Sequence, residues 1–357
     1  MNTYGLNLKL RIYGGSHDEK IGMTLEGIPA GEKIDFDALR AFMSRRAPGK
    51  DPYSTKRREA DEPHFLSGFD GNVTTGEMIE AVIYNSNTRS GDYANLADVP
   101  RPSHADFAAR MKYGEEVDLR GGGHFSGRLT APMCIAGGIC LQILARKNIY
   151  IAAHIASVGD VNDTIFDAVN VSKCDFDALT GKSFPVIDDK SGEKMRSLIE
   201  EARLDCDSIG GTVECAAIGL PPGLGEHMFM GVEGRISSIV FGIPAVKGVE
   251  FGLGFGSAKL RGSQNNDRFY TDGNRIFTAT NNAGGILGGM TSGMPLVFRA
   301  AIKPTPSIAK EQDSVSLSKM ENVKLKIVGR HDPCIVPRAV PVFEAACALA
   351  IMDMMLD

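Results

Sequence analysis

RAVPVFEAACALAIMDMM, residues 338–355, is the stretch on which the fold turns. Its residues are apolar nearly all the way round a helix, and a helix without a polar face has to be covered on every side. It is therefore expected to lie sandwiched between layers or subunits. Working outward, helical spacing recurs at about 36–46, 104–113, 126–146 and 190–204, and strand-like runs fall at about 78–84, 150–158, 211–219, 246–252 and 294–303. GTVECAAIG at 211–219 runs into Leu220-Pro221-Pro222-Gly223, which must turn. No long linker, low-complexity tail or short-period repeat interrupts the pattern. The reading is one α+β domain over residues 1–357.

Composition agrees with a globular chain able to bury a large core: 43% of the 357 residues are hydrophobic and 23% charged. A net charge of −5 gives no overall electrostatic attraction to nucleic acid or an anionic membrane, so neither is expected as a partner. The most apolar run, Leu129 to Ala145, is short for a bilayer span and contains Thr130, Pro132 and Gln142, which suits a buried helix better. The N-terminus MNTYGLNLKL has no signal-peptide core. Seven cysteines, an odd number without a C-x-x-C pair, read as reduced, buried thiols of a cytoplasmic protein, with no disulfide framework and no metal site. Positive charge is local: Arg45, Arg46, Lys50, Lys56, Arg57 and Arg58 fall in one stretch with Pro48, Gly49 and Pro52. Such a run is commonly just a solvated loop; the sharper alternative is a loop that folds over an anionic ligand.

Chemistry concentrates in a few short segments. GRHDPC at 329–334 packs a guanidinium suited to phosphate, an imidazole that titrates near neutrality and a carboxylate into consecutive positions, Arg330, His331 and Asp332. Ser16-His17, RPSHAD at 101–106, LRGSQNND at 260–267 and KPTPS at 303–307 have the same character. His64, His154 and His227 stand outside such groupings and read as ordinary structural histidines. The 41 glycines cluster as GGGHFSG at 121–127, GLGFGSA at 252–258 and NNAGGILGGMTSG at 281–293, as if backbone amides lined a large planar ligand and its phosphate. Gly252-x-Gly254-x-Gly256 is no dinucleotide fingerprint, because the third glycine is misplaced and KLRGSQNND is poor helix material.

Taken in order, G-x-S-H, RR-x-PG, RREADEP, RP-x-HAD with KYG, RGGG, DSIGGTVE, PAVKGVE, LRGSQN, AGGILGG, KPT-x-S and GRHDPC followed by RAVP resemble the chorismate synthase family from residue 11 to about 356. The resemblance implies a β-α-β sandwich with antiparallel sheets around central helices, assembled as a homotetramer. It implies trans-1,4 elimination of phosphate from 5-enolpyruvylshikimate 3-phosphate to give chorismate. It also implies reduced FMN as cofactor, with NADPH or an external reductase as the source of electrons.

Carried over position by position, His17 matches the histidine that protonates the departing phosphate and His104 the one near the reduced flavin. Asp332 matches an aspartate that relays a flavin proton, and Ser16 and Ser126 match serines near the site. Arg46, Arg128 and Arg330 match arginines meeting the substrate's anionic groups. Flavin contacts fall on His124, Phe125, Ser126, Ala245, Gly288, Lys303, Pro304, Thr305, Pro306, Ser307 and Arg330. The chain departs from the family pattern at Gly15, Ala47, Pro52, His124 and Phe125, where an acid, two arginines, an arginine and a serine are usual. Two rivals are a flavin-binding paralogue that has lost this activity and an ordinary flavin oxidoreductase. A third, a polyanion binder using residues 45–58, is disfavoured by the acidic net charge and the lack of interleaved aromatics.

Overall fold

The computed structural model describes residues 3–49, 61–85, 98–114, 117–327 and 332–357. Its centre is the helix Val336–Met354, buried along nearly its whole length as the absence of a polar face requires. It packs against a second apolar helix, Thr130–Arg146, and the two approach where both side chains are minimal: a Cβ on Gly137 would lie 2.3 Å from the Cβ of Ala345. One helix, Gly127–Arg146, is long and apolar enough to cross a membrane, and 83% of that window is buried within the protein.

A five-stranded antiparallel sheet covers each side of this helical layer. The first runs Thr3–Tyr4, Lys9–Gly14, Lys20–Glu26, Ile79–Tyr84 and His64–Ser67 in spatial order. The second runs Val246–Phe251, Leu296–Ile302, Gly211–Ile218, Tyr150–Val158 and Val161–Asn162. Ile21, Met23 and Leu25 alternate inward from the first sheet, as the strand period of two dictates. Tyr150–Val158 is instead buried on both faces, because helices Lys173–Thr180 and Asp189–Leu204 cover the outer side of the second sheet. Phe166, Phe176 and Leu179 pack there against Ala152, Ala216 and Val297.

Buried charges tie the layers. Glu344, in the middle of the central helix, takes the forked guanidinium of Arg45 and the backbone N–H of Ala153 at 3.1 Å. Asp353, near its end, accepts the backbone N–H groups of Leu6, Asn7 and Leu8 at 3.0, 2.9 and 2.8 Å and so anchors the N-terminal segment. His154 corrects the sequence reading, for it does sit in a charged grouping: its Nδ1 faces Asp163 at 3.1 Å and its Nε2 faces Glu214 at 3.0 Å. Burial disfavours its charge, but the two carboxylates outweigh that and raise its pKa. The cysteines need a second correction. Cys134, Cys140, Cys215, Cys334 and Cys347 are buried free thiols, whereas Cys174 and Cys206 are exposed. Burial pushes the Cys134 and Cys334 thiols up to about 12.

Candidate active site

The strand Lys9–Gly14 ends at Gly14, whose φ of +89° turns the chain and brings Gly15-Ser16-His17 against the glycine run at 121–123. There Ser16 meets the glycine run: its backbone N–H donates to the Gly123 carbonyl at 3.2 Å, and its hydroxyl donates to the Arg120 carbonyl at 3.0 Å. Gly121, Gly122 and Gly123 have φ of 57°, 95° and 50°, a conformation that disfavours residues with a side chain. Space makes the same demand, since a Cβ on Gly121 would lie 2.3 Å from His17 Cε1. A Cβ on Gly122 would lie 3.5 Å from His104 Nε2. Two histidines from separate motifs thus flank one strip of bare backbone.

Beyond this strip lies a cleft of about 640 Å³, within the range of small-molecule sites. His104, His124, Phe125, Ser126, Ala245, Lys303, Thr305, Pro306, Ser307 and Asp332 all line it. Among its described lining residues, Arg46, Arg101, Arg128, Lys247, Lys303 and Arg338 face a single carboxylate, Asp332. A cleft of that balance attracts a small polyanion. Burial and the neighbouring Lys247 both lower the pKa of Lys303, whose ammonium donates to the hydroxyl of Ser103 at 3.1 Å and also to its carbonyl. Asp332 pairs with Arg338, which in turn donates from Nε to the Arg46 carbonyl at 3.1 Å.

Arg46 leaves the last turn of the helix Phe36–Arg46, and Arg128 leaves the short turn that Ser126 caps by accepting the Arg128 backbone N–H at 3.2 Å. The two guanidiniums converge on Asp61, each holding one of its carboxylate oxygens. Arg46 is further fixed by Thr130 at 3.0 Å and the Gly127 carbonyl at 3.1 Å, and Arg128 by Asn85 at 3.1 Å. Burial alone would raise the Asp61 carboxyl, but the two arginines outweigh it and hold it below the usual carboxylate value. His124 is exposed at the rim with Nδ1 donating to the Gly14 carbonyl at 2.9 Å. Phe125 packs towards Tyr113, with ring centroids 6.4 Å apart.

The structure does not bring every expected residue to this cleft: Ser16 and His17 pack against Gly121 and are not among the lining residues. Gly288 sits on the hairpin between Ile286–Leu287 and Met290–Thr291, away from the lining. Pro304 is likewise absent from the lining and packs beside Gly210. Arg330 and His331 lie outside the described residues, as do Lys50, Lys56, Arg57 and Arg58. Asp61, Asp106, Arg338 and Lys247 do not stand out as site residues in the sequence. All four lie inside the motifs RREADEP, RPSHAD, RAVP and PAVKGVE, but the pairing is not in the spacing: Asp61 meets Arg46 and Arg128 from other segments, whereas Asp106 finds Arg101 and His104 within its own motif. The segment Gly254–Lys259 forms a short 3₁₀ turn after an antiparallel strand, which is not the geometry of a dinucleotide fingerprint.

Two antiparallel sheets around a helical layer, with a cation-rich cleft lined by His104 and Gly121, define an α+β protein built to hold a small polyanion. The match to known proteins is full-length. The chorismate synthase family model matches residues 8–356, and the chain belongs to that family. Chorismate synthase of Lancefieldella parvula is 44% identical over 364 residues, covering 99% of this chain and 95% of the relative. That of Thermococcus kodakarensis is 44% identical over 353 residues, covering 99% and 97%. A crystal structure of chorismate synthase superposes with a TM-score of 0.77 at 28% identity, covering 99% of this chain and 92% of that one.

Proposed function

We propose that this protein converts 5-enolpyruvylshikimate 3-phosphate to chorismate by trans-1,4 elimination in the shikimate pathway, with reduced FMN held in the same cleft. The observation that carries the reading is the approach of His17 and His104 to neighbouring glycines, Gly121 and Gly122, beside a cation-rich cleft, because the reaction needs proton-transfer groups close to a bound anion. The residues fit the cofactor. Phe125, Ile243, Ala245 and Val246 line the cleft with apolar surface for a flat ring system, while Lys247, Lys303, Thr305 and Ser307 supply cations and hydroxyls for a phosphate. When bound, reduced FMN supplies electron density that assists cleavage of the C–O bond.

The chain's own groups do the rest. His17, with Ser16 Oγ 3.3 Å from its Nδ1, donates a proton to the departing phosphate. Arg46 and Arg128, held in place by Asp61, neutralise the substrate's anionic groups together with Arg330. Asp332 takes up a proton at its carboxylate, and Arg338 orients it. His104 presents Nε2 beside Gly122 and Ser126. Cofactor contacts are assigned to His124, Phe125, Ser126, Ala245 and 303–307, with Gly288 and Arg330 as further positions from the family resemblance.

The enzyme acts as a homotetramer in the cytoplasm. Exposed Phe229, Phe255 and Ile276, at 87%, 84% and 70% of their full accessibility, support subunit contacts. Seven unpaired thiols support a reducing compartment. The test is an anaerobic assay with chemically reduced FMN and the phosphorylated substrate, following chorismate absorbance. Product only with reduced flavin supports the reading, and flavin binding without product would favour the inactive paralogue. Repeating it with oxidised FMN and NADPH separates self-reduction from dependence on an external reductase.

A further inference from the structure

His104 does not stand alone. The segment from Arg101 reverses at Ser103, whose φ is +60°, and brings Arg101 and His104, which line the cleft, together with Asp106 behind them. Asp106 is buried and is not among the cleft-lining residues, so it acts on a ligand only through its neighbours.

We propose that Asp106 is a positioning residue for the reaction, fixing His104 with its proton on Nδ1 so that Nε2 is the nitrogen presented to the cleft. An ionised carboxylate only accepts hydrogen bonds. Asp106 Oδ2 accepts from Arg101 Nε at 2.7 Å and the Arg101 backbone N at 3.0 Å. Its Oδ1 accepts from Arg101 Nη2 at 2.7 Å and faces His104 Nδ1 at 2.6 Å. With three of the four contacts donated by a permanent cation and its own amide, the carboxylate stays ionised, and the fourth partner has to be a donor as well. Burial opposes this charge, but the hydrogen bonds from Arg101 and His104 outweigh it and hold the carboxyl far below the usual carboxylate value.

The tautomer of an imidazole is set by the bond its other nitrogen makes. Nε2 is therefore left to give or take a proton beside Gly122 and Ser126. Arg101 also links this device to the opposite segment, since its Nη1 donates to the Ser307 hydroxyl at 3.4 Å. The assignment of a catalytic task to Nε2 rests on the chorismate synthase reading; the tautomer itself does not.

Two measurements decide it. In protein labelled with ¹⁵N-histidine, at alkaline pH and without flavin or substrate, long-range ¹H–¹⁵N correlation should show His104 protonated on Nδ1 and bare on Nε2. Loss of the signal in His104→Gln assigns it. Protonation on Nε2 with bare Nδ1 overturns the proposal, whether or not a variant at Asp106 folds. In the anaerobic assay, Asp106→Asn should lower kcat about 100-fold, the scale of a mispositioned acid or base, and leave KM for the phosphorylated substrate within about twofold. The same variant should lose the exclusive Nδ1–H pattern. An unchanged kcat, or a raised KM with kcat intact, overturns the positioning role. Wild-type protein that makes no chorismate contradicts the functional reading instead, and the first measurement stands apart from it.

Discussion

At the residue scale, buried carboxylates hold the side chains of the site in place: Asp61 holds Arg46 and Arg128, and Asp106 holds Arg101 and His104. Replacing His17 or His104 by Ala should lower kcat about 100-fold or more while circular dichroism stays native, because each removes an imidazole and leaves the glycine strip in place. Near-wild-type turnover in either variant contradicts the role assigned to that histidine. Asp61 behaves differently. Its carboxylate lies between two arginines that are themselves buried, so Asp61→Ala strands two charges and should cost about 3–5 kcal/mol of stability. The loss is read in urea unfolding. A variant as stable as wild type would show that Arg46 and Arg128 find other partners.

His124 adds a residue-scale prediction about the departure from the family pattern. An arginine there carries fixed charge, whereas an imidazole changes charge with pH. His124→Arg should flatten any fall in reduced-FMN affinity as pH rises. Identical profiles in the two proteins reduce His124 to its hydrogen bond with the Gly14 carbonyl.

Elements pack here by fine margins. The two central helices meet at Gly137 and Ala345, where a Cβ would come within 2.3 Å of its neighbour. Gly137→Val should therefore push the helices apart and destabilise the protein by about 1–3 kcal/mol or more, seen as a lowered thermal midpoint. His154 ties the second sheet together through Glu214, and through Asp163, which accepts the backbone N–H groups of Ile187 and Asp188, to the start of the outer helix Asp189–Leu204. Its folded pKa is raised, so its contribution is fully present below the unfolded value of about 6.5 and is lost as pH rises through the folded pKa. Over that window stability should fall by up to about 1.4 kcal/mol per pH unit from this group. His154→Gln should remove that part of the slope in melts taken as pH rises above about 6.5. An unaltered slope would assign the loss to other groups.

For the whole molecule, the cleft gathers residues from the glycine run, the 101–105 segment, the 241–247 segment, the 303–307 segment and the start of the central helix. A site assembled from so many segments should vanish in one transition with the fold. Loss of flavin binding and loss of secondary structure should coincide in denaturant, and separate transitions would contradict this. Sedimentation should give the mass of four chains, and a monomer would leave Phe229 and Phe255 uncovered in solution.

Much of this protein is legible in its amino-acid order. The central helix had to be buried because it has no polar face, and the motif series carried the family and its chemistry. Periodicity placed strands such as 150–158 and 211–219 almost to the residue, because hydrophobic spacing is a local property. Pairing is not local. Nothing in the spacing of RREADEP says that Asp61 will sit between Arg46 and Arg128, nor does the apolar run YIAAHIASV at 150–158 announce that His154 will meet Asp163 and Glu214. The side chain of Asp106 reads in sequence as one more acid beside a histidine, and only the reversal at Ser103 turns it towards His104 Nδ1. Composition and periodicity determine which residues must leave water. Which buried charge finds which partner is decided by the tertiary structure, since most of those contacts join segments far apart in the chain and exist only once the layers have closed.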